Sequence, residues 1–325
     1  MVGLAGLGWR VEQRTLDASF PVRTPEALRQ AEAVLASIPD GALVVVDGLA
    51  FGVLPELAQA QGERLRLVAL VHHPLAAETG LAPERAAALR QSETRALAQA
   101  RLVLVTSAFT ARLLAAYGVP AGRIRVVEPG TDPAPVALGS PDPVPRLLSV
   151  GALVPRKGHD VLLRALAELS DLAWRLDCVG CTNRDPHWSS ALLRLRDKLG
   201  LRERVSFPGV LTRQELDRRY AEADLFVLAS RFEGYGMVFA EALAWGLPVL
   251  AARSGAVPET VPPGAGILVQ PDDPAALAAA LRGLLTDADR RRQLAAGARA
   301  VGLRLVTWPQ AAAVFAAACE EVLHG

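Results

Sequence analysis

Ser230-Arg231-Phe232-Glu233-Gly234-Tyr235-Gly236-Met237-Val238-Phe239-Ala240-Glu241-Ala242-Leu243-Ala244-Trp245-Gly246-Leu247-Pro248 follows the short apolar run Leu225–Leu228. A run apolar at every position suits a parallel strand buried on both faces. Gly246 and Pro248 stop what comes after, so the stretch predicts strand, turn and a helix over about 236–245. In an open parallel sheet such a turn lies at the carboxyl end of its strand, where ligands bind. The N–H groups of Gly234, Tyr235 and Gly236, with the helix dipole, suit a diphosphate. Glycine also lets a ligand approach the backbone closely. Glu233 stands just before the helix, and Glu241 lies about 7–8 Å along it at roughly 1.5 Å per residue. Carboxylates repel phosphate and suit paired hydroxyls. The order is then sugar hydroxyls, diphosphate, ribose hydroxyls, which describes a nucleotide sugar. Either glutamate alone would read as a solvated helix residue; the whole string in its strand–turn–helix setting does not.

The same alternation runs outward in both directions. Apolar runs at 43–46, 67–71, 102–105, 125–127, 147–150, 174–179, 205–207, 249–251 and 267–269 read as strands. Helical stretches, such as 83–100, 108–117, 160–169, 214–221 and 274–285, lie between them. That predicts βαβ units and an α/β fold of two Rossmann-like, doubly wound parallel sheets. Proline density over 129–145 forbids helix or central strand there. The expected organisation is a first domain at 1–131, a linker at 132–145, a second domain at 146–303 and a final helical piece at 304–325. At the start, Val2 to Gly8 reads as the end of a helix and Val11 to Leu16 as a strand. A Rossmann half normally opens with a strand and a glycine-rich turn. Neither is found before that helix, so a slot between two strands and a less stable first domain are expected.

Composition narrows the function. Hydrophobic residues make up 51% and charged residues 21% of 325, which excludes a disordered chain. Lys and Arg number 35 against 34 Asp and Glu, without the basic excess of a nucleic-acid binder. Three cysteines suit a reducing compartment, no apolar run is long enough for a membrane span, and cytoplasm is the expected location. Cys178-Val179-Gly180-Cys181 has C-x-x-C spacing, but its first cysteine falls in a strand and reads as core. Arg290-Arg291-Arg292 reads as a solvated helix face. His72 and His73 follow a strand directly; without further His or Cys nearby they do not make a zinc site.

The Glu233-to-Glu241 string resembles the large family-4-like retaining glycosyltransferases of GT-B fold. The stretches Val150-Gly151-Ala152-Leu153-Val154-Pro155-Arg156-Lys157-Gly158, Phe207-Pro208-Gly209-Val210-Leu211, Ala256-Val257-Pro258-Glu259-Thr260-Val261 and 266–273 match in order. The resemblance implies two domains facing a cleft, and a last helix from Trp308 that crosses back to the first domain. It implies transfer of a hexosyl or related group from a nucleotide-diphosphate sugar to an unidentified acceptor, with retention and with neither metal nor cofactor. Glu233 would touch the donor sugar, Glu241 the ribose, and backbone around Val210 the base. Gly151 and Arg156 would join the donor site, and Lys157 would neutralise the diphosphate. A histidine after the first-domain strand, His72 or its neighbour His73, would contact the transferred sugar. The family commonly carries arginine directly after the glycine of the first loop; here that residue is Ala152, and Arg156 is its candidate substitute. Two alternatives stand beside this expectation: a non-catalytic nucleotide-sugar-binding protein, and a GT-B nucleotide-sugar epimerase. The family's opening strand and glycine loop are expected to be missing, with a start site assigned too far downstream as the preferred explanation.

Overall fold

A computed structural model describes residues 2–325, leaving Met1 outside the described residues. The chain divides into two compact units, Met1–Gly130 with Val306–Gly325, and Thr131–Leu305.

The first unit holds a parallel sheet of β1 (Leu43–Asp47), β2 (Arg66–Val71), β3 (Leu102–Val105) and β4 (Ile124–Val126), in that spatial order. Every residue of β3 is buried, as its unbroken apolar sequence requires. The helices Pro25–Ala36, Pro55–Gln61 and Pro83–Ala98 all begin on proline, whose fixed φ and missing N–H cost nothing in a first turn. Two expectations fail here. Val11 to Leu16, expected as a strand, is irregular chain with no strand beside it to complete a ladder. Nor is there a slot: β1 to β4 pair contiguously, and β1 is an edge strand with three half-buried residues. The helix Trp308–His324 packs in this unit: Arg125 pairs with Glu321 at 2.7 Å, and Arg66 donates to the Leu323 carbonyl at 2.6 Å.

In the second unit β5 (Arg146–Val150), β6 (Arg175–Val179), β7 (Val205–Gly209), β8 (Leu225–Leu228), β9 (Val249–Ala252) and β10 (Gly266–Val269) form one parallel sheet. Its order is β10-β9-β8-β5-β6-β7. From β5 the chain winds outward to β7; it then returns to β8 and winds the other way. Successive side chains on a strand point to opposite faces. Leu225 and Val227 therefore enter one core, with Trp174, Leu163 and Leu281, while Phe226 and Leu228 enter the other, with Phe239 and Leu243. Fully burying one such side chain contributes about 1.5–3 kcal/mol. Because β8 is filled on both faces, its carboxyl end is a fixed point from which the next loop starts. The junction of β5 and β8 is the switch point of the sheet, the place beyond the strand ends where open α/β sheets bind ligands.

Residues 131–145 carry no regular element but follow the second unit: Ala137 and Leu138 N–H groups bond to the Trp245 and Ala221 carbonyls, both at 2.8 Å. Arg291 departs from the solvated face expected of the arginine run. It is half-buried and donates to the Leu284 and Leu285 carbonyls, closing the preceding helix. Cys178 is buried in β6 and Cys181 half-buried after it, both as free thiols. Among the described residues no helix is long and apolar enough to cross a membrane.

Candidate donor site

Two loops meet at the switch point. The loop after β5 runs through Gly151 to a turn of 3-10 helix, Pro155–Lys157, and the loop after β8 carries Ser230 to Gly236. Gly158 fixes their approach. Its φ is +65°, and an added Cβ would lie 2.0 Å from the Ala229 carbonyl oxygen, so a side chain is excluded twice. The Arg231 N–H donates to the Arg156 carbonyl at 2.8 Å, and Arg156 Nη1 donates back to the Phe232 carbonyl at 3.0 Å. Arg231 then grips Asp160 through both guanidinium ends at 2.9 and 3.0 Å, and Asp272 at 2.7 Å. Such two-pronged contacts fix orientation as well as adding energy.

Within this frame Glu233 is 4% exposed. Lys157 Nζ lies 2.7 Å from its Oε1, Ser230 Oγ donates to the same oxygen at 2.6 Å, and Arg156 Nη1 stands 3.4 Å from Oε2. The Lys157 stem lies across Gly151, within 3.4 Å of where a Cβ would stand. Glu233 is pinned from behind as well. The Ala256 N–H donates to its carbonyl at 2.9 Å, and Gly255, at φ +55°, packs so closely that a Cβ would sit 2.1 Å from that oxygen. The adjacent side chains Arg156 and Lys157 thus do face the same way. Two cations on one carboxylate leave a local excess of positive charge. His159 adds none at neutral pH: burial, helped by the Lys157 charge, pushes its imidazole down to about 4.

The helix predicted at 236–245 runs Met237–Ala244, with Gly236 at its N-cap and no side chain capping that end. The Tyr235 carbonyl is tied to Thr260 Oγ1 at 2.7 Å. One turn in, Glu241 Oε2 accepts a hydrogen bond from Tyr220 Oη at 2.9 Å. Burial raises the Glu241 carboxyl above its ordinary value, and this hydrogen bond opposes the rise. Val210 is 74% exposed on the loop after β7. That loop is linked to the one after β5 through Gly180, whose N–H bonds to the Gly209 carbonyl at 2.9 Å, while Gly151 N–H bonds to Val179 at 2.8 Å. Arg156, Lys157, Gly151 and Glu233 are therefore brought together, with Gly234, Tyr235, Gly236 and Glu241 along the adjoining turn and helix.

His72 belongs to the first unit, directly after β2. Its Nε2 lies 3.0 Å from Asp47 Oδ2, and its carbonyl accepts from Thr106 Oγ1 at 3.1 Å. Burial works to raise the Asp47 carboxyl, but hydrogen bonds from His72 and the Leu49 N–H outweigh it and hold the group below its usual range. The His72 side chain is 49% exposed and that of His73 18%, so His72 is the more accessible of the pair. Ser230 and Tyr220 stand outside the predicted set. Ser230 sits in the quoted string but reads as an ordinary turn residue, and Tyr220 lies in a helix of otherwise charged character. Among the described residues no three His, Cys, Asp or Glu side chains cluster to hold a metal ion.

The chain has relatives among known proteins. A D-inositol 3-phosphate glycosyltransferase of Xylanimonas cellulosilytica is 37% identical over 218 residues, covering 62% of this chain and 52% of that protein. The chain spans about half the length of the curated relatives it matches. The solved sucrose-phosphate synthase of Thermosynechococcus elongatus superposes with a TM-score of 0.83 at 24% identity, over 99% of this chain and 91% of that one. HepE of Anabaena, solved in complex with UDP and glucose, gives 0.73 at 21% identity, over 91% and 81%. These likenesses show the GT-B fold. Residues 10–135 match Glycosyltransferase Family 4, residues 132–301 match Glycosyl transferases group 1, and the chain belongs to this family of glycosyltransferases.

Proposed function

We propose that the chain transfers a sugar from a nucleotide-diphosphate donor to a hydroxyl of a phosphorylated polyol, with retention of configuration and without a metal ion. The observation that carries this reading is the convergence of Arg156 and Lys157 on buried Glu233, beside the uncapped start of the helix Met237–Ala244. A sugar–phosphate bond that breaks leaves negative charge on the nucleoside diphosphate. Preorganised cations and a helix N-terminus stabilise that charge as it develops. Glu233 accepts hydrogen bonds from the sugar hydroxyls, Glu241 from the ribose, and backbone near Val210 contacts the base. In the proposed step the bond from the anomeric carbon to the phosphate oxygen breaks and the acceptor oxygen bonds to that carbon on the same face. The acceptor's proton passes to the departing phosphate oxygen, so no protein nucleophile is assigned.

The acceptor class follows the curated relatives, which are named D-inositol 3-phosphate glycosyltransferases. The test is a panel of UDP-, GDP- and ADP-sugars, each incubated with and without D-inositol 3-phosphate, with released nucleoside diphosphate and glycoside product measured. Release that depends on the acceptor is expected. Interconversion of donor sugars without an acceptor, or binding without turnover, would overturn the proposal.

A further inference from the structure

We infer that Tyr220 is a positioning residue for nucleotide recognition: its hydroxyl holds one oxygen of Glu241 so that the other is kept for the ribose. This rests on the assignment of Glu241 to the ribose and extends it to a residue that touches no ligand.

The argument begins with the helix Arg213–Ala221, which carries Arg213, Glu215, Asp217, Arg218 and Arg219 and buries only Tyr220. Tyr220 is 2% exposed. Its ring stacks on Trp245 at 6.0 Å and 7°, and on Phe226 at 6.3 Å and 15°. Phe226 in turn meets Phe239 edge-on at 5.6 Å, and Phe239 lies on the same short helix as Glu241. A phenylalanine would satisfy all of this packing. The hydroxyl is the part that packing does not explain, and a buried hydroxyl without a partner is costly. Its partner is Glu241 Oε2 at 2.9 Å.

A glutamate near a helix start has three rotatable bonds and would sample many orientations. A ring locked between two aromatics offers a fixed donor, and the bond to it removes most of that freedom before a ligand arrives. The same bond works against the protonation that burial favours. An ionised carboxylate is the stronger acceptor for a ribose hydroxyl. Arg213 also favours the charged form, while Asp132 and Asp217 oppose it.

The experiment compares the wild type with Tyr220→Phe, which keeps the ring stack and deletes only the hydroxyl. Dissociation constants are measured calorimetrically for UDP, GDP and ADP and for their 2′-deoxy and 3′-deoxy forms. The quantity read is the ratio of deoxy to parent affinity within each variant, in which a general change in stability cancels. In the wild type the parent nucleotide should bind better. In Tyr220→Phe the parent should weaken about 2- to 12-fold, the scale of having to order one freed side chain on binding. The deoxy forms should change little, so the ratio collapses; with an active donor, KM rises more than kcat falls. If Tyr220→Phe keeps the wild-type ratio while Glu241→Ala abolishes it, Tyr220 only packs and the inference is wrong. If Glu241→Ala itself keeps the ratio, or the wild type binds no nucleoside diphosphate, the ribose assignment fails and the inference falls with it.

Discussion

Glu93 offers a quantitative test of the first unit. It lies in the helix Pro83–Ala98, is 1% exposed, and accepts one hydrogen bond, from the Leu75 N–H to Oε2 at 2.9 Å. Its Oε1 is buried without a partner. Burial pushes the carboxyl from 4.5 up to about 7, with the Leu75 bond opposing. Tyr117 is the aromatic neighbour; burial, then the Glu93 charge, push its hydroxyl up to about 12, and Arg90 lies over its ring. A carboxyl raised on folding binds more protons in the native chain than in the unfolded one. Its stabilising contribution is therefore complete below about pH 4.5 and is lost as pH rises to about 7. At about 1.4 kcal/mol per pH unit, that window corresponds to about 3 kcal/mol. Glu93→Gln stays neutral throughout, so it should match the wild type near pH 5. At pH 8 it should exceed the wild type by about 2–3 kcal/mol, short of the full amount because the wild-type carboxyl has already lost part of its contribution by pH 5. For a unit of this size that is about 5–10 °C in melting temperature. Thermal melts followed by circular dichroism from pH 5 to pH 8 give the comparison, and other titrating groups cancel in the difference. A difference curve that stays flat would refute the assignment of a buried, proton-binding carboxyl. The same bond ties Glu93 to Leu75, two residues after His73.

Other outcomes follow from the second unit and the histidine. Lys157→Met removes the closest cation from Glu233 and should lower kcat/KM by about 2–4 kcal/mol in activation terms; wild-type kinetics would exclude Lys157 from the site. Arg156→Met, acting at 3.4 Å rather than 2.7 Å, should cost less than Lys157→Met, and no loss at all would mean that it does not replace the arginine absent at Ala152. Gly255→Ala drives a Cβ toward the Glu233 carbonyl at a left-handed φ, and should destabilise the second unit by about 1–3 kcal/mol while depressing turnover; an unchanged melt would refute the close approach. His72→Ala removes the hydrogen bond that helps hold the Asp47 carboxyl low, so that carboxyl should titrate higher by carboxyl NMR, and an unchanged titration would refute the pairing.

Much of the second unit was legible in the sequence because its signals are local. An unbroken apolar strand, glycines at the turn and a Gly-Leu-Pro stop specify strand, turn and helix over 225–248 without help from distant residues. The pairing of Lys157 with Glu233 joins positions 76 apart in sequence, and spacing alone cannot reveal which cation meets which carboxylate. Tyr220 was hidden by its charged neighbours, since one inward aromatic makes only a weak periodic signal. Glu93 is one of several charged residues in its helix, and its burial is set by the loop after β2, which no local pattern announces. Val11 to Leu16 misled for the opposite reason: it reads as a strand from its own stretch alone, but a strand exists only when another lies beside it. The helix Pro25–Ala36 is not among the expected elements; its start is set by Thr24, whose side chain accepts from the Ala27 N–H at 3.0 Å.

The central proposal is that Arg156, Lys157 and the turn from Gly234 to Gly236 hold the diphosphate of a nucleotide sugar. The most direct measurement is a crystal structure of the chain with the nucleoside diphosphate that binds it most tightly. The account predicts diphosphate oxygens within hydrogen-bond distance of Lys157 and the helix start at Met237, with ribose hydroxyls on Glu241. A diphosphate bound elsewhere on the molecule, or a ribose away from Glu241, would contradict it.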